Sequence, residues 1–97
     1  MDLKNKTAFI TGGASGLGLA TAQNFIAAGA NVMLYDLRAD ALEAAAASLG
    51  PAVAWHAGDV ADEVGVSEAI AIAKEKFGTI HVNVNCLLYT SPSPRDS

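Results

Sequence analysis

The sequence contains little cysteine and no long apolar segment, and each shortage excludes a class of protein. Its single cysteine, Cys86, cannot form an internal disulfide, which favours a reducing compartment. No segment approaches the roughly 20 consecutive apolar residues that span a bilayer. The start, MDLKNKTAFI, lacks the apolar core of a secretory signal. We therefore expect a cytoplasmic protein, with the mitochondrial matrix as the alternative location.

Positive charge is also scarce, since 6 Lys and Arg stand against 10 Asp and Glu, for a net charge of −4. Nucleic acids and anionic membranes both attract basic surfaces, so we expect neither as a partner. His56 is interpreted as a strand-end residue and His81 as a surface residue at a strand start. Neither has neighbours at metal-ligand spacing, so we expect no metal site.

The sequence does have a hydrophobic content of 52% over 97 residues, which is enough for one buried core. Short apolar runs alternate with helical stretches, and alternation with short links is typical of an α/β fold with a parallel sheet. The pattern predicts strands at 7–11, 31–36, 52–56 and 79–85, and helices at 17–28, at 40–49 and after a capping Asp62. The last helix carries one apolar stripe, made of Val66, Ile70, Ala73 and Phe77.

Three glycines, Gly12, Gly16 and Gly18, lie between the first predicted strand and the first predicted helix. Ligands of parallel sheets bind beyond the carboxyl ends of the strands, where the strand order reverses. The N-terminus of the helix has free N–H groups and a partial positive charge, which suit a phosphate. Side chains at these positions would obstruct the turn, the approach of a pyrophosphate or helix–strand packing. The alternative is a tight turn without a ligand.

Asp36 ends the second predicted strand, at the same edge of the sheet as the glycines. A carboxylate there can accept hydrogen bonds from both hydroxyls of an adenosine ribose and would repel a 2′-phosphate, which favours NAD over NADP. Arg38 weakens this discrimination, because a nearby cation tolerates a phosphate. The alternatives for Asp36 are a solvated loop acid or a cap for the next helix.

Asp59 and Val60 follow the third predicted strand. In the functional interpretation, Asp59 accepts a hydrogen bond from an adenine amino group and Val60 adds a backbone contact. In the alternative, Asp59 forms a turn beside Gly58.

Together these residues resemble the short-chain dehydrogenase/reductase family. TGGASGLG (11–18) is similar to that family's Thr-Gly-x3-Gly-x-Gly nucleotide motif, Asp36 to its acid after the second strand, and Asp59 with Val60 to its adenine-contacting pair. FGTIHVNVNC (77–86) resembles its fourth-strand segment. The resemblance implies a Rossmann-type doubly wound parallel sheet and a hydride transfer between NAD and a hydroxyl or carbonyl carbon. It also implies a small-molecule substrate, with an acyl-CoA as one candidate, and a homotetramer for the full-length protein.

The resemblance implies roles for particular residues as well. The cofactor-binding residues would be Gly12, Ser15, Gly16, Leu17, Gly18, Asp36, Asp59, Val60 and Cys86. Ser15 and Leu17 would contact the pyrophosphate, Leu17 through its backbone, and Cys86 would make backbone contacts with the cofactor. The alternatives are a helix cap for Ser15, a core position for Leu17 and a buried small apolar residue for Cys86.

The resemblance ends after Cys86, where the family has Ala-Gly and this sequence has Leu87-Leu88. The family's catalytic Ser, Tyr and Lys have no counterpart, since Tyr89 is followed at the fourth position by Ser93 and not by Lys. We therefore predict no catalytic residues here. Residues 1–86 are interpreted as the amino-terminal part of an NAD(P)-binding Rossmann domain, with its sheet cut after the fourth strand. The Ser/Pro-rich segment 87–97 is interpreted as a disordered, foreign tail.

Two other functions share part of this pattern. A non-catalytic dinucleotide-binding module or redox sensor would have the same glycines and no acid/base pair. An S-adenosylmethionine methyltransferase also has a glycine-rich first turn and an acid after the second strand. That class prefers an acid before its glycines, which TGGASGLG does not provide.

Overall fold

The computed structural model describes residues 3–86, in which strands and helices alternate strictly. The elements are β1 (Thr7–Thr11), α1 (Gly16–Ala27), β2 (Asn31–Asp36), α2 (Ala39–Leu49), β3 (Val53–Ala57), α3 (Glu63–Phe77) and β4 (Val82–Asn85). The strands form one parallel sheet in the order β3-β2-β1-β4. The predicted α/β fold is confirmed, because this order is the one with which a Rossmann-type doubly wound sheet begins. The predicted tail, 87–97, lies outside the described residues.

The central strands β1 and β2 are apolar between their polar end residues, because both faces of the sheet are covered. Side chains alternate between the faces, so one strand contributes to two separate layers. The layer on the α1 and α2 side is built by Ala8, Ile10, Val32, Leu34, Val53, Ala22, Leu42 and Ala45. The layer on the α3 side is built by Phe9, Met33, Tyr35, Ala54, Ala69 and Ala73.

Helix α3 covers its face of the sheet with the stripe that the sequence predicts. Ala73 is fully buried, and Val66, Ile70 and Phe77 pack half-buried against the same layer. Ala69 is also fully buried, which adds a second small side chain at the contact. The predicted cap is confirmed too, since the Asp62 carboxylate accepts a hydrogen bond from the Val64 N–H at 3.1 Å.

The predicted element boundaries differ from the observed ones by at most one residue, except at β4. That strand was predicted over 79–85 and begins only at Val82. The reason is His81, whose Nδ1 accepts a hydrogen bond from the Thr7 N–H at 3.1 Å. An imidazole therefore occupies the position that a strand carbonyl would otherwise take. His81 is exposed, as expected, but it also anchors the start of the β1–β4 pairing.

No helix within residues 3–86 combines the length and the apolar character needed to cross a membrane. The same residues bring no three His, Cys, Asp or Glu side chains close enough together to hold a metal ion.

Candidate functional site

The loop between β1 and α1 lies at the carboxyl edge of the sheet, where the strand order reverses. Gly12 begins it with φ at 72°, a left-handed conformation that glycine adopts at little cost. The N–H groups of Gly12 and Gly13 both donate to the Tyr35 carbonyl oxygen, at 2.8 and 3.2 Å. The chain therefore turns sharply away from β1 and stays bonded to β2.

The two remaining glycines of the motif, Gly16 and Gly18, are explained by different physical causes. A Cβ on Gly18 would overlap the Gly12 carbonyl oxygen and lie 2.8 Å from the Gly13 Cα, so the fold itself excludes a side chain there. A Cβ on Gly16 would have no protein atom within 4 Å apart from its chain neighbours and the backbone of its own helix. The packing within the described residues therefore gives no reason for glycine at position 16, whereas a ligand that approaches the helix end does.

Ser15 organises the start of α1. Its Oγ accepts a hydrogen bond from the Gly18 N–H at 3.0 Å and donates to the Gly12 carbonyl oxygen at 2.7 Å. The capping alternative for Ser15 is confirmed. Within residues 3–86 the N–H groups of Gly16 and Leu17 donate to no protein acceptor, as first-turn amides generally do not. Leu17 is 55% exposed, so the core alternative for it is wrong.

Asp36 is directed at the glycine turn from the end of the neighbouring strand. Its Oδ2 accepts a hydrogen bond from the Ala14 N–H at 3.1 Å. Its Oδ1 lies 3.3 Å from the Arg38 N and 3.7 Å from the Arg38 Nε. The Asp36 side chain is only 12% exposed, whereas that of Arg38 is 59% exposed. The geometry brings the acid and the turn together, as predicted, and the carboxylate retains lone pairs for further donors.

Asp59 and Val60 lie on the next loop of the same edge, and both are exposed. The Asp59 Oδ1 accepts a hydrogen bond from the Ala61 N–H at 2.9 Å, which is the turn-forming role of the alternative interpretation. The Gly58 N–H donates to the Asp36 carbonyl oxygen at 2.8 Å, which links this loop to the end of β2.

Cys86 closes the other side of the turn. Its N–H donates to the Thr11 carbonyl oxygen at 2.9 Å and extends the β1–β4 pairing by one residue. Its thiol lies 3.7 Å from the Thr21 Oγ1 on α1, and the residue is 3% exposed. Cys86 is therefore a buried small residue beside the turn, as the alternative interpretation expected.

Three residues at this edge of the sheet, Ala14, Leu37 and Tyr35, were not predicted from the sequence. Ala14 contributes only an amide, which leaves no sequence signal. Leu37 is 68% exposed in the structure. The sequence signal for it was an apolar residue directly after the predicted ribose-binding acid, Asp36. Tyr35 is fully buried, and its hydroxyl donates to the Asp59 carbonyl oxygen at 3.0 Å. The signal there was an aromatic residue with a polar tip at the end of an apolar strand.

Comparisons with known proteins agree with this geometry. A family model described as short chain dehydrogenase matches residues 6–91. The 3-hydroxyacyl-CoA dehydrogenase type-2 of Homo sapiens is 48% identical over 84 residues, which cover 87% of this chain and 32% of that relative. The chain thus spans about a third of the length of the curated relatives it matches.

Two solved structures from Brucella melitensis superpose on the chain, each with a TM-score of 0.81. One is a short-chain dehydrogenase/reductase described as glucose/ribitol dehydrogenase, 36% identical, covering 86% of this chain and 36% of that one. The other is a 3-ketoacyl-(acyl-carrier-protein) reductase complexed with NADH, 34% identical, covering 84% of this chain and 33% of that one. Because the family match covers most of the chain and these structures share its fold, we conclude that the chain belongs to the short-chain dehydrogenase/reductase family of oxidoreductases.

Proposed function

We propose that this chain supplies the cofactor-binding half of an NAD-dependent oxidoreductase. The reaction would transfer a hydride between NAD and a hydroxyl or carbonyl carbon of a small molecule. When bound, NAD supplies the hydride acceptor and NADH the hydride donor. The residues described here bind and orient the adenosine diphosphate part of that cofactor.

The proposal depends on one observation, the meeting of Asp36 with the glycine turn. The carboxylate lies 3.1 Å from the Ala14 N–H, inside the loop that begins α1. A diphosphate at the helix end and a ribose at Asp36 are adjacent groups in one cofactor. The open position beside Gly16 fits the first, and the acceptor capacity of the carboxylate fits the second.

The remaining contacts extend this assignment along the same edge. Asp59 would accept a hydrogen bond from the adenine amino group, and the exposed apolar side chains of Leu37 and Val60 would contact the base. Gly12, Ser15, Leu17 and Gly18 would form the diphosphate turn, and the Cys86 backbone would contact the cofactor beyond it. Asp36 favours NAD over NADP, because a 2′-phosphate would meet its negative charge.

Gly16→Val tests this assignment with little disturbance of the fold. Position 16 is open apart from its own helix, so valine should fit there but would block the approach of a phosphate to the helix end. We expect NAD affinity to fall at least tenfold, measured by calorimetric titration of the full 97-residue chain, with about the same melting temperature.

Ala20→Val is the matched control, because Ala20 is exposed on the same helix. It adds the same branched bulk away from the turn, and we expect it to bind NAD normally. Unchanged NAD affinity in Gly16→Val, or an equal loss of affinity in both variants, would contradict the proposed diphosphate site at the start of α1.

A non-catalytic dinucleotide-binding module is the second candidate. It would use the same glycine turn and the same Asp36 carboxylate, without the proton donor at the carbonyl oxygen that hydride transfer needs. We propose that the chain by itself binds NAD and has no turnover. Dehydrogenase activity of the purified chain with any alcohol would contradict this.

The remaining assignments concern the substrate, the oligomeric state and the location. We propose a small-molecule substrate, with an acyl-CoA as the first class to test, because the Homo sapiens relative is named for a 3-hydroxyacyl-CoA. We propose a homotetramer for the full-length protein and a cytoplasmic location, with the mitochondrial matrix as the alternative.

A further inference from the structure

We propose that Tyr35 is a positioning residue that sets the adenosine-binding geometry of the Asp59–Val60 loop. This inference rests on the proposed function above. Its basis is a hydrogen bond of 3.0 Å, in which the buried hydroxyl of Tyr35 donates to the Asp59 carbonyl oxygen.

The hydroxyl lies in a narrow slot between the loop and α3. A Cβ on Gly58 would overlap the Tyr35 hydroxyl oxygen, and a Cβ on Gly65 would lie 2.5 Å from it. Neither glycine has a positive φ, so backbone conformation does not require glycine at either position. The two glycines therefore serve to make room for the tip of this one side chain.

The ring of Tyr35 is held in place over its length. Tyr35 is fully buried in the α3-side layer, and its ring centroid lies 6.0 Å from that of Phe9 and 6.2 Å from that of His56. A rigid, buried ring gives the hydroxyl a fixed direction. The loop it reaches is exposed at Asp59 and Val60, so little side-chain packing holds these two residues.

The hydroxyl stays a donor at neutral pH. Burial, together with the carboxylates of Asp62, Asp59 and Glu68, raises the pKa of Tyr35 above its ordinary value of 10.0. The protonated hydroxyl can therefore donate to the Asp59 carbonyl oxygen at neutral pH.

Tyr35 also connects the two loops of the site. Its backbone carbonyl oxygen accepts the N–H groups of Gly12 and Gly13, and its side chain holds Asp59. A change of the side chain alone should disturb the adenosine contacts and leave the diphosphate contacts intact. This separation is what distinguishes a positioning role from a general contribution to stability.

Tyr35→Phe is the direct test. The ring and its packing remain, and the Asp59 carbonyl oxygen keeps its bond from the Asp62 N–H at 2.9 Å, so the fold should survive. We expect the dissociation constant for AMP to rise about fivefold, the loss of one ordinary hydrogen bond. The dissociation constant for inorganic pyrophosphate should not change. Both are measured by NMR titration of the full chain.

Met33→Leu is the matched control, since Met33 is fully buried on the same strand and in the same layer but carries no hydroxyl. It should lower the melting temperature and leave both affinities unchanged. Equal weakening of AMP and pyrophosphate in Tyr35→Phe, or no weakening of either, would overturn the positioning role while leaving the proposed function intact. Failure of the unmodified chain to bind either ligand would overturn both.

A second variant tests the slot without any ligand. Gly65→Ala should destabilise the chain, because its methyl group meets the hydroxyl. In the Tyr35→Phe background that oxygen is gone, and the next atom is the Asp62 Oδ2 at 3.3 Å. Gly65→Ala should then be neutral or stabilising, as expected inside a helix. Equal destabilisation in both backgrounds would show that the slot is not built around the hydroxyl.

Discussion

The two loops at the carboxyl edge of the sheet are bonded to β2 in different ways. The β1–α1 loop (residues 12–15) is buried at Gly12 and Gly13, whose N–H groups donate to the Tyr35 carbonyl oxygen, and its Ala14 N–H donates to the Asp36 carboxylate. The β3–α3 loop (residues 58–62) is mostly exposed; its Gly58 N–H donates to the Asp36 carbonyl oxygen, and its Asp59 carbonyl oxygen accepts from the Tyr35 hydroxyl. The first loop is thus held mainly through its buried glycine backbone, and the second is held partly by the buried side chain of Tyr35.

The loops also differ in charge. Helix α3 begins with Asp62 as its cap and Glu63 in its first turn, so its own carboxylates compensate the partial positive charge of its N-terminus. Helix α1 begins with an uncharged Ser15 cap and has no acid in its first turn. Of the two helix ends, α1 is the one that favours an external anion. This difference supports placing the diphosphate at α1 and the adenine beside the acidic loop.

Gly18→Ala should distort the β1–α1 loop and have the largest effect on stability. The added methyl group overlaps the Gly12 carbonyl oxygen, and backbone cannot move aside as a flexible side chain can. We expect the free energy of unfolding to fall by about 3 kcal/mol, measured by urea denaturation. Gly16→Ala, two residues away, should keep or slightly increase stability. Similar stability of the two variants would contradict the assignment of Gly18 to the fold and Gly16 to the ligand.

Asp36→Ala should affect binding more than folding. Removing the carboxylate removes the proposed ribose acceptor, and we expect NAD affinity to fall about tenfold. The affinity for NADP should fall less, because the repulsion between the carboxylate and the 2′-phosphate also disappears. Asp40→Ala, an exposed acid at the start of α2, is the control. Equal loss of both cofactors in Asp36→Ala would argue against a ribose-specific role.

The two caps provide a matched comparison of the loops. Ser15→Ala removes two hydrogen bonds, at 3.0 and 2.7 Å, from a half-buried site. Asp62→Ala removes a cap from an exposed one. We expect losses of stability of about 1.5 and about 0.7 kcal/mol in thermal unfolding. The reverse order would mean that the exposed loop contributes more to stability than the buried one.

Alkaline unfolding should show the smallest effect, confined to one pH range. The raised pKa of Tyr35 means that the folded chain keeps a proton which the unfolded chain loses near pH 10.0. The stabilisation is complete below that pH and is lost as the pH rises through the folded pKa, with a slope of at most about 1.4 kcal/mol per pH unit. Tyr35→Phe should lack this part of the slope. Identical alkaline profiles for both proteins would contradict the buried state of the hydroxyl.

The failures of prediction, at the start of β4 and at the site, have a common physical cause. The late start of β4 follows from a bond between His81 and Thr7, which are 74 residues apart. The role of Tyr35 follows from a bond to Asp59 across 24 residues. Neither contact leaves a periodic or spacing signal in the neighbouring sequence. A lone histidine and a strand tyrosine look like ordinary surface and core residues until the sheet is assembled.

The sequence by itself determined the order of strands and helices, the turn at Gly12 and the cap at Asp62. These depend on side-chain size, backbone conformation and hydrogen bonds within a few residues, all of which act before the chain is folded. Only the tertiary structure decided that Asp36 meets the Ala14 N–H across 22 residues and that Gly18, but not Gly16, is required by packing. The parallel pairing of β1 with β2 creates the first of these contacts, because it brings two strand ends from separate parts of the chain to one edge. The second depends on how closely the start of α1 packs on the Gly12–Gly13 turn.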